Sequence, residues 1–505
     1  MTHPPGERPR VIEALAPDGA DARATRTSLF ASAPGSASHP RVVLAVLCVA
    51  QFLAALDVFI VNVALPKIGA GFGESSLSNL SWVLNAYAIV IAALMIPAGR
   101  LGDLLGRKRV FLFGMGVFTA ASIGAALSGT LWVLVGFRIV QAAGAAAITP
   151  TSLGLLMVAA PAEKRAVYVK VWTASAALAA ATGPVVGGLL VEASWRWIFL
   201  LNVPIGVVAI AAAIRFVPDV AREAGARLPD LLGGALLVLS IGSLALGLVK
   251  APDWAWSGTA TVVAFVIAAL SMLAFLWRSA RHSDPVLDLD LLRSRVLSSA
   301  SVSALLYFAS FGILLLSSVL WLQGHWHYSP VRTGLAIAPG PCCVPLFAVF
   351  SEVAAKRIAV GVIAAFGCVL SAVGAVLLLA SMGDTPSYAA DFLPGWLLVC
   401  IGFALAMPTV TSSGTAELLP DQSATGSALV NASVQIGLVI GISILVAILG
   451  TASIAAELHV FRIAWWSAAG IVVGAGCIAL GVTPRTSSLT PGAPKTQQNR
   501  SSACR

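Results

Sequence analysis

Two charged side chains stand where apolar residues are expected. Asp57 lies within residues 56–66, LDVFIVNVALP, and Arg138 opens the run RIVQAAG, three residues before Gln141. A charge inside a membrane-length apolar run is costly. It is kept mainly where it faces a bundle interior or a watery cavity, and there it marks transport, ion coupling or a proton relay. Arg138 and Gln141 share one face of a helix, and the small residues at 142–147 let a neighbour pack close. The chemistry open to Asp57 is proton exchange: a nearby cation lowers a carboxyl pKa, desolvation raises it, and the balance shifts as the site opens to one side or the other. The plainer reading makes Asp57 a hydrogen-bond partner for helix ends and Arg138 a donor to backbone carbonyls. Gln51, Asn62, Asn85, Tyr87, Gln141, Asn202, Asn431 and Gln435 are the polar candidates in apolar runs. Each either lines a substrate cavity or bonds one helix to the next.

Other chemistries find little support. The seven cysteines show no C-x-x-C or other ligand spacing and read as small packing residues, so no metal site and no disulfide framework is expected. His325 and His327 flank Trp326 in a wet outer loop. No Ser/His/Asp constellation shares a set of spans, and no G-x-x-x-x-G-K-[ST] phosphate loop occurs. The chain is not expected to be an enzyme or an ATP-driven pump.

The elements that must hold Asp57 and Arg138 are membrane helices. The 505 residues are 58% hydrophobic and 10% charged, whereas soluble domains carry about a quarter charged residues. Mean hydropathy is +0.92. Fourteen runs approach the ~20 apolar residues that cross a bilayer, near 42–65, 80–99, 110–129, 131–159, 167–190, 197–217, 231–249, 259–278, 298–322, 331–351, 358–381, 393–415, 423–449 and 461–482. With the N-terminus inside, only Lys67, Arg196, Lys250, Arg332 and Arg462 of the 31 Lys/Arg fall on outer loops, and Arg138 lies within a span. That bias predicts an even span number with both termini cytoplasmic, and it accounts for the net charge of +9 without nucleic acid. Trp195, Trp197, Trp254, Trp256, Trp321 and Trp326 fall near outer span ends, as an aromatic belt would. Residues 279–297 read as a short interfacial helix or as a solvated linker. Glu417 and Asp421 fall near the inner end of the twelfth span, as solvated groups. By spacing, Asp57 lies roughly 13 Å in from the outer end of the first span and Arg138 roughly 10 Å in from that of the fourth.

Several motifs sit on these spans in order. After the second comes Gly99-Arg-Leu-Gly-Asp103-Leu-Leu-Gly106-Arg107-Lys108-Arg109, a tight turn whose acid can pair with basic neighbours. The fifth carries Ala179-Ala-Ala-Thr-Gly183-Pro184-Val-Val-Gly187-Gly188, where proline bends the helix and glycines admit a close neighbour. Then follow Trp195-Arg-Trp-Ile-Phe-Leu-Leu-Asn202-Val-Pro204-Ile-Gly206, Tyr328-Ser-Pro330-Val-Arg-Thr-Gly334-Leu, and Gly426 with Gln435-Ile-Gly437 and Gly441. Over residues 41–482 these motifs, together with LDVFIVNVALP, resemble the major facilitator superfamily and within it the fourteen-span drug:proton antiporters. Two positions depart from the family pattern: Leu104 stands where a basic residue is usual, and Ala179 replaces the leading glycine of the antiporter motif. The second-half counterpart of the first loop is reduced to Ser351-Glu352-Val-Ala-Ala-Lys356-Arg357.

The resemblance implies an all-α polytopic membrane protein of the major facilitator fold, two six-helix halves with two inserted central helices. The units would be a cytoplasmic disordered tail at 1–41, an N-terminal half at 42–217, a linker with two extra helices at 218–297, a C-terminal half at 298–482 and a second disordered cytoplasmic tail at 483–505. It also implies that the first and fourth spans meet along a central cavity, so that Asp57 and Arg138 interact directly or through water and carry proton coupling, with Gln141 beside them. Gly99, Asp103, Gly106, Arg107 and Lys108 would form a conformational latch, and Gly183, Pro184, Gly187 and Gly188 a kink on which the halves rock. The expected function is a proton-coupled antiporter exporting hydrophobic or amphipathic small molecules from the cytoplasm, needing no cofactor, metal or nucleic acid and acting as a monomer in the cell membrane. The alternative is an exporter dedicated to one endogenous metabolite, such as a self-made antibiotic. Related pumps for dicationic compounds carry extra acids in later spans. Their absence here implies neutral, monocationic or amphipathic substrates.

Overall fold

The computed structural model describes residues 39–219, 230–282, 285–381, 383, 386–414, 418, 423–450 and 458–483. Most of both tails and of the 218–230 linker, with Glu417 and Asp421, lies outside the described residues. Fourteen helices are long and apolar enough to cross a membrane: α1 Pro40–Phe72, α2 Leu77–Leu105, α3 Arg107–Ala126, α4 Leu131–Ala159, α5 Val167–Ala193, α6 Trp197–Phe216, α7 Leu231–Trp254, α8 Thr259–Ser279, α9 Arg295–Gly324, α10 Pro330–Ala354, α11 Val360–Ser381, α12 Tyr388–Gly414, α13 Gly426–Leu449 and α14 Leu458–Val482. No strand occurs among the described residues. In hydrocarbon each backbone polar group must find its partner within the protein, and a helix does so with its own chain. Polar caps finish the ends: Ser76, Thr130, Asp230, Ser294 and Ser329 each accept a backbone N–H from the first turn of the helix that follows.

The packing of the first six helices recurs eight helices later. α1 packs on α5 and α9 on α13; α2 on α4 and α10 on α12; α3 on α4 and α6, and α11 on α12 and α14. The two sets meet where α5 faces α10 and where α2 faces α13. The additional α7 packs on α8 and also touches both α2 and α13, so the inserted pair lies along that seam. For orientation, one end of the bundle carries Glu74 and the opposite end carries Asp103.

The tenth span, the tryptophan belt and His325 differ from the sequence expectation. The tenth span is not one helix but two pieces, Pro330–Ile337 and Pro339–Ala354, because Pro339 cannot continue the ladder. Of residues 279–297, read as an interfacial helix or a solvated linker, the described ones between α8 and α9 hold a 3-10 turn at Leu291–Arg293, with Val286 and Leu291 buried. Of the supposed belt only Trp197, Trp254 and Trp256 are exposed. Trp195, Trp321 and Trp326 are buried, because at these helix ends a neighbouring helix rather than lipid covers the indole. His325, likewise, is no wet loop residue: it stacks on Trp321 at 3.9 Å.

Candidate functional site

The first half of the bundle closes around one polar cluster. Asp57 comes from the middle of α1, Arg138 and Gln141 from one face of α4, Ser122 from α3, and Asn202 from α6 just past its break at Leu201. All five are at least 98% buried. Arg138 Nη1 donates to Asp57 Oδ2 and to Gln141 Oε1 at 2.8 Å, and its Nε donates to the Val83 carbonyl of α2 at 3.1 Å. Gln141 Nε2 donates to Asp57 Oδ1 and to Ser122 Oγ, both at 2.9 Å. Asn202 Nδ2 reaches the same two oxygens at 3.4 and 3.3 Å, and the Ser122 hydroxyl donates to the Phe118 carbonyl at 2.8 Å. The guanidinium lies 3.9 Å from the centre of the Tyr87 ring, a cation–π contact of the desolvated kind.

This is how a buried ion pair is tolerated. Removing two charges from water costs more than their attraction returns unless further hydrogen bonds satisfy the remaining lone pairs and protons. Here both carboxylate oxygens accept, and the arginine uses its fork on a carboxylate, an amide and a backbone carbonyl. Five helices of one half contribute, so a change of charge on Asp57 is felt by α1, α2, α3, α4 and α6 together. Ser122 was not legible in the sequence. It is a single hydroxyl in FTAASIGAA with no spacing to set it apart, and only the fold turns it toward Gln141.

Beside the cluster, between the two halves, lies a cavity of about 40 Å³. Asn62, Tyr87 and Arg138 line it from the first half, and Phe308, Phe311 and Leu438 are among its apolar walls from the second. That is room for a few water molecules and well below the roughly 300–1,000 Å³ of drug-sized pockets, so the conformation seen is contracted. The other polar candidates are placed as follows. Asn62 bonds its own helix at Val58, and Asn85 bridges the halves through Ser443 at 3.3 Å. Gln51 and Gln435 are half-buried. Asn431 is exposed and bonds the Ser427 carbonyl one turn back.

The halves are joined at the Glu74 end. Gln323 Nε2 donates to the Val63 carbonyl at 3.1 Å. Gly334 of α10 sits where a Cβ would collide with the Pro184 carbonyl, and Gly188 of α5 packs on the backbone of Pro330 and Val331. Gly183 and Gly187 admit Phe59 and Ile60 of α1 in the same way. Lys250 of α7 donates to Asn79 at 2.9 Å, and Asn79 in turn donates to Glu74 at 2.9 Å. At the Asp103 end, Lys170 of α5 reaches Glu352 of α10 at 3.2 Å, both side chains largely exposed. There Gly106, at φ +103°, makes the turn that brings Arg107 onto Asp103 at 2.8 Å. Gly99 lies against Pro150 of α4. Arg107 also reaches the Gly154 carbonyl of α4 at 3.3 Å, and Lys108 the Ile214 carbonyl of α6 at 3.2 Å. No group of three or more His, Cys, Asp or Glu able to hold a metal occurs among the described residues.

Two similarly packed sets of six membrane helices with two more inserted between them, and a buried ion pair beside a cavity at their seam, define a membrane transporter rather than an enzyme. Residues 47–442 match the model of the Major Facilitator Superfamily, and the chain belongs to that family. It is 33% identical over 402 residues to the multidrug resistance protein Stp of Mycobacterium tuberculosis (strain CDC 1551 / Oshkosh), covering 79% of this chain and 74% of that one. It is 30% identical to the tetracenomycin C resistance and export protein of Streptomyces glaucescens, over 82% of this chain and 76% of that one. Among solved structures, a POT family transporter in complex with a thioalcohol-conjugated peptide superposes with TM-score 0.65 at 14% identity, over 86% of this chain and 95% of the other. At that identity the likeness is one of fold.

Proposed function

We propose that this chain exports hydrophobic or amphipathic small molecules from the cytoplasm in exchange for protons, by alternating access of its two halves. The observation that carries the reading is the Asp57–Arg138 pair, buried in the first half and reaching the inter-half cavity through Arg138. The Lys/Arg bias supports a cytoplasmic Asp103 end and cytoplasmic termini, with the Glu74 end outside. Opening toward the cytoplasm admits substrate while Asp57 is ionised and held by Arg138. Opening toward the outside lets a proton reach the carboxylate, weakens the ion pair, loosens the five helices tied to it and releases the substrate. The relatives named for drug resistance and export support the direction of transport. Small-molecule substrate, protons and bilayer then suffice as partners, and the cell membrane is the site of action.

The test is a deletion and an overexpression strain screened for resistance across a compound panel, with and without a protonophore. Broad resistance that disappears with the proton gradient is expected. Resistance to one compound class alone would favour an exporter dedicated to an endogenous metabolite, and resistance that survives collapse of the gradient would refute proton exchange.

A further inference from the structure

The break in α10 has a chemical cause and an unexpected keeper. Pro339 and Pro341 bring no amide hydrogen, so the carbonyls of Leu335 and Ile337, four residues earlier, lose their helical donors. Leu335 is exposed, but Ile337 is fully buried. Its carbonyl is satisfied from another helix: Trp396 of α12 donates its indole N–H to Ile337 O at 2.8 Å. Gly340 makes room for this, since a Cβ there would press on the same indole nitrogen and on Cys400 Sγ. At the residue just before, Tyr388 donates its hydroxyl to the Ala336 carbonyl at 3.1 Å.

Trp396 also belongs to a ladder of rings. Tyr388, Phe392, Trp396 and Phe311 follow one another at 6.1, 5.8 and 6.5 Å between centres, with interplanar angles of 26°, 21° and 25°. Phe311 is a wall of the cavity. On the far side of the break, the Pro330–Ile337 piece carries Gly334 and Pro330, the residues that close the seam against Pro184 and Gly188. One fully buried side chain thus touches the cavity wall through its ring face and the hinge of the sealing element through its N–H.

We propose that Trp396 is a positioning residue that couples occupancy of the cavity at Phe311 to the hinge of α10, so that a flat aromatic substrate resting on Phe311 releases the Pro330–Ile337 piece from α5. The proposal rests on the export reading above for what fills the cavity. The hinge assignment itself rests on the proline pair and the indole bond.

Three full-length variants test it: Trp396→Phe, which keeps a ring and removes the N–H; Pro341→Ala, which gives the Ile337 carbonyl a backbone donor; and the double variant. In the wild-type background Trp396→Phe is expected to lower Tm by about 2–4 °C, and in the Pro341→Ala background by less than about 1 °C, because the carbonyl no longer depends on the indole. In proteoliposomes with an imposed pH gradient and ethidium as the planar aromatic probe, Trp396→Phe is expected to keep KM within about twofold and to lower the turnover rate about tenfold. An equal Tm loss in both backgrounds overturns the hinge assignment. Unchanged turnover, or a loss confined to KM, overturns the coupling. Wild-type protein that moves no ethidium while the Tm coupling persists counts against broad drug export and supports the hinge.

Discussion

At the residue scale, Asp57 is held by three donors in the state described. Asp57→Asn keeps the size of the side chain but removes its titration, so proton-driven transport in proteoliposomes is expected to fall to background while the variant still folds. Full proton-coupled transport by that variant would exclude Asp57 as the coupling group. Arg138 should be more fragile. Arg138→Leu leaves a buried carboxylate unpaired, a change that costs about 3–5 kcal/mol in comparable buried pairs. Lower yield and a clear loss of thermal stability are expected, and Asp57→Asn combined with it should restore part of the loss. Depth along two helices and a family resemblance were enough to suggest this pair from sequence. The amides and hydroxyl that complete it were not all legible, because which polar side chain turns inward is decided by helix rotation, and one buried serine leaves no periodic mark.

A third residue-scale prediction concerns Glu74. Hydrogen bonds from the Asn79 side chain and the Ser76 amide, then burial working the other way and the Lys250 charge, hold its carboxyl below the usual value of 4.5. Its stabilising contribution is therefore complete above that value and is lost as pH falls through the lower folded one. Because the group is part-exposed, the effect is below about 1 kcal/mol. Glu74→Gln should lower Tm slightly at pH 7, and the difference should vanish in acid, which thermal unfolding against pH will show.

At the element scale, the seam depends on backbones touching. Gly334 faces the Pro184 carbonyl with no room for a methyl group, and overpacking of this kind costs about 1–3 kcal/mol. Gly334→Ala is expected to push α10 off α5 at the Glu74 end and to let an imposed pH gradient decay faster in proteoliposomes, with thermal stability reduced but not lost. The spans themselves were legible because hydropathy reports their number and length directly. The break in α10 was not. Its residues are apolar enough to read as one span, and hydropathy does not record which carbonyls have lost a donor. The misassigned tryptophans share a cause: an indole near a helix end looks the same in sequence whether lipid or another helix covers it.

At the scale of the whole molecule, the two halves are alike in packing and unlike in chemistry. The ion pair and its five-helix network belong to the first half; the wall the second half presents to the cavity is aromatic and aliphatic. In the second half, Tyr307, Ser371 and the Val399 carbonyl form a neutral hydrogen-bond chain. The repeat could be read from the degenerate Ser351–Arg357 segment, whereas this chemical division needed the packed molecule.

One carboxylate in mid-span has a thermodynamic consequence. If Asp57 is the group that loads, each cycle admits one proton, and the gradient a single proton can sustain is tenfold per pH unit, or 1.36 kcal/mol, plus whatever the membrane voltage adds. For a singly charged cation the exchange moves no net charge, and voltage adds nothing; for a neutral molecule it moves one charge and is driven by both. Valinomycin with balanced potassium should therefore leave cation export driven by a pH step unchanged and lower the limit for a neutral compound under an added voltage. A voltage dependence for the monocation would show that a second proton is carried elsewhere in the chain.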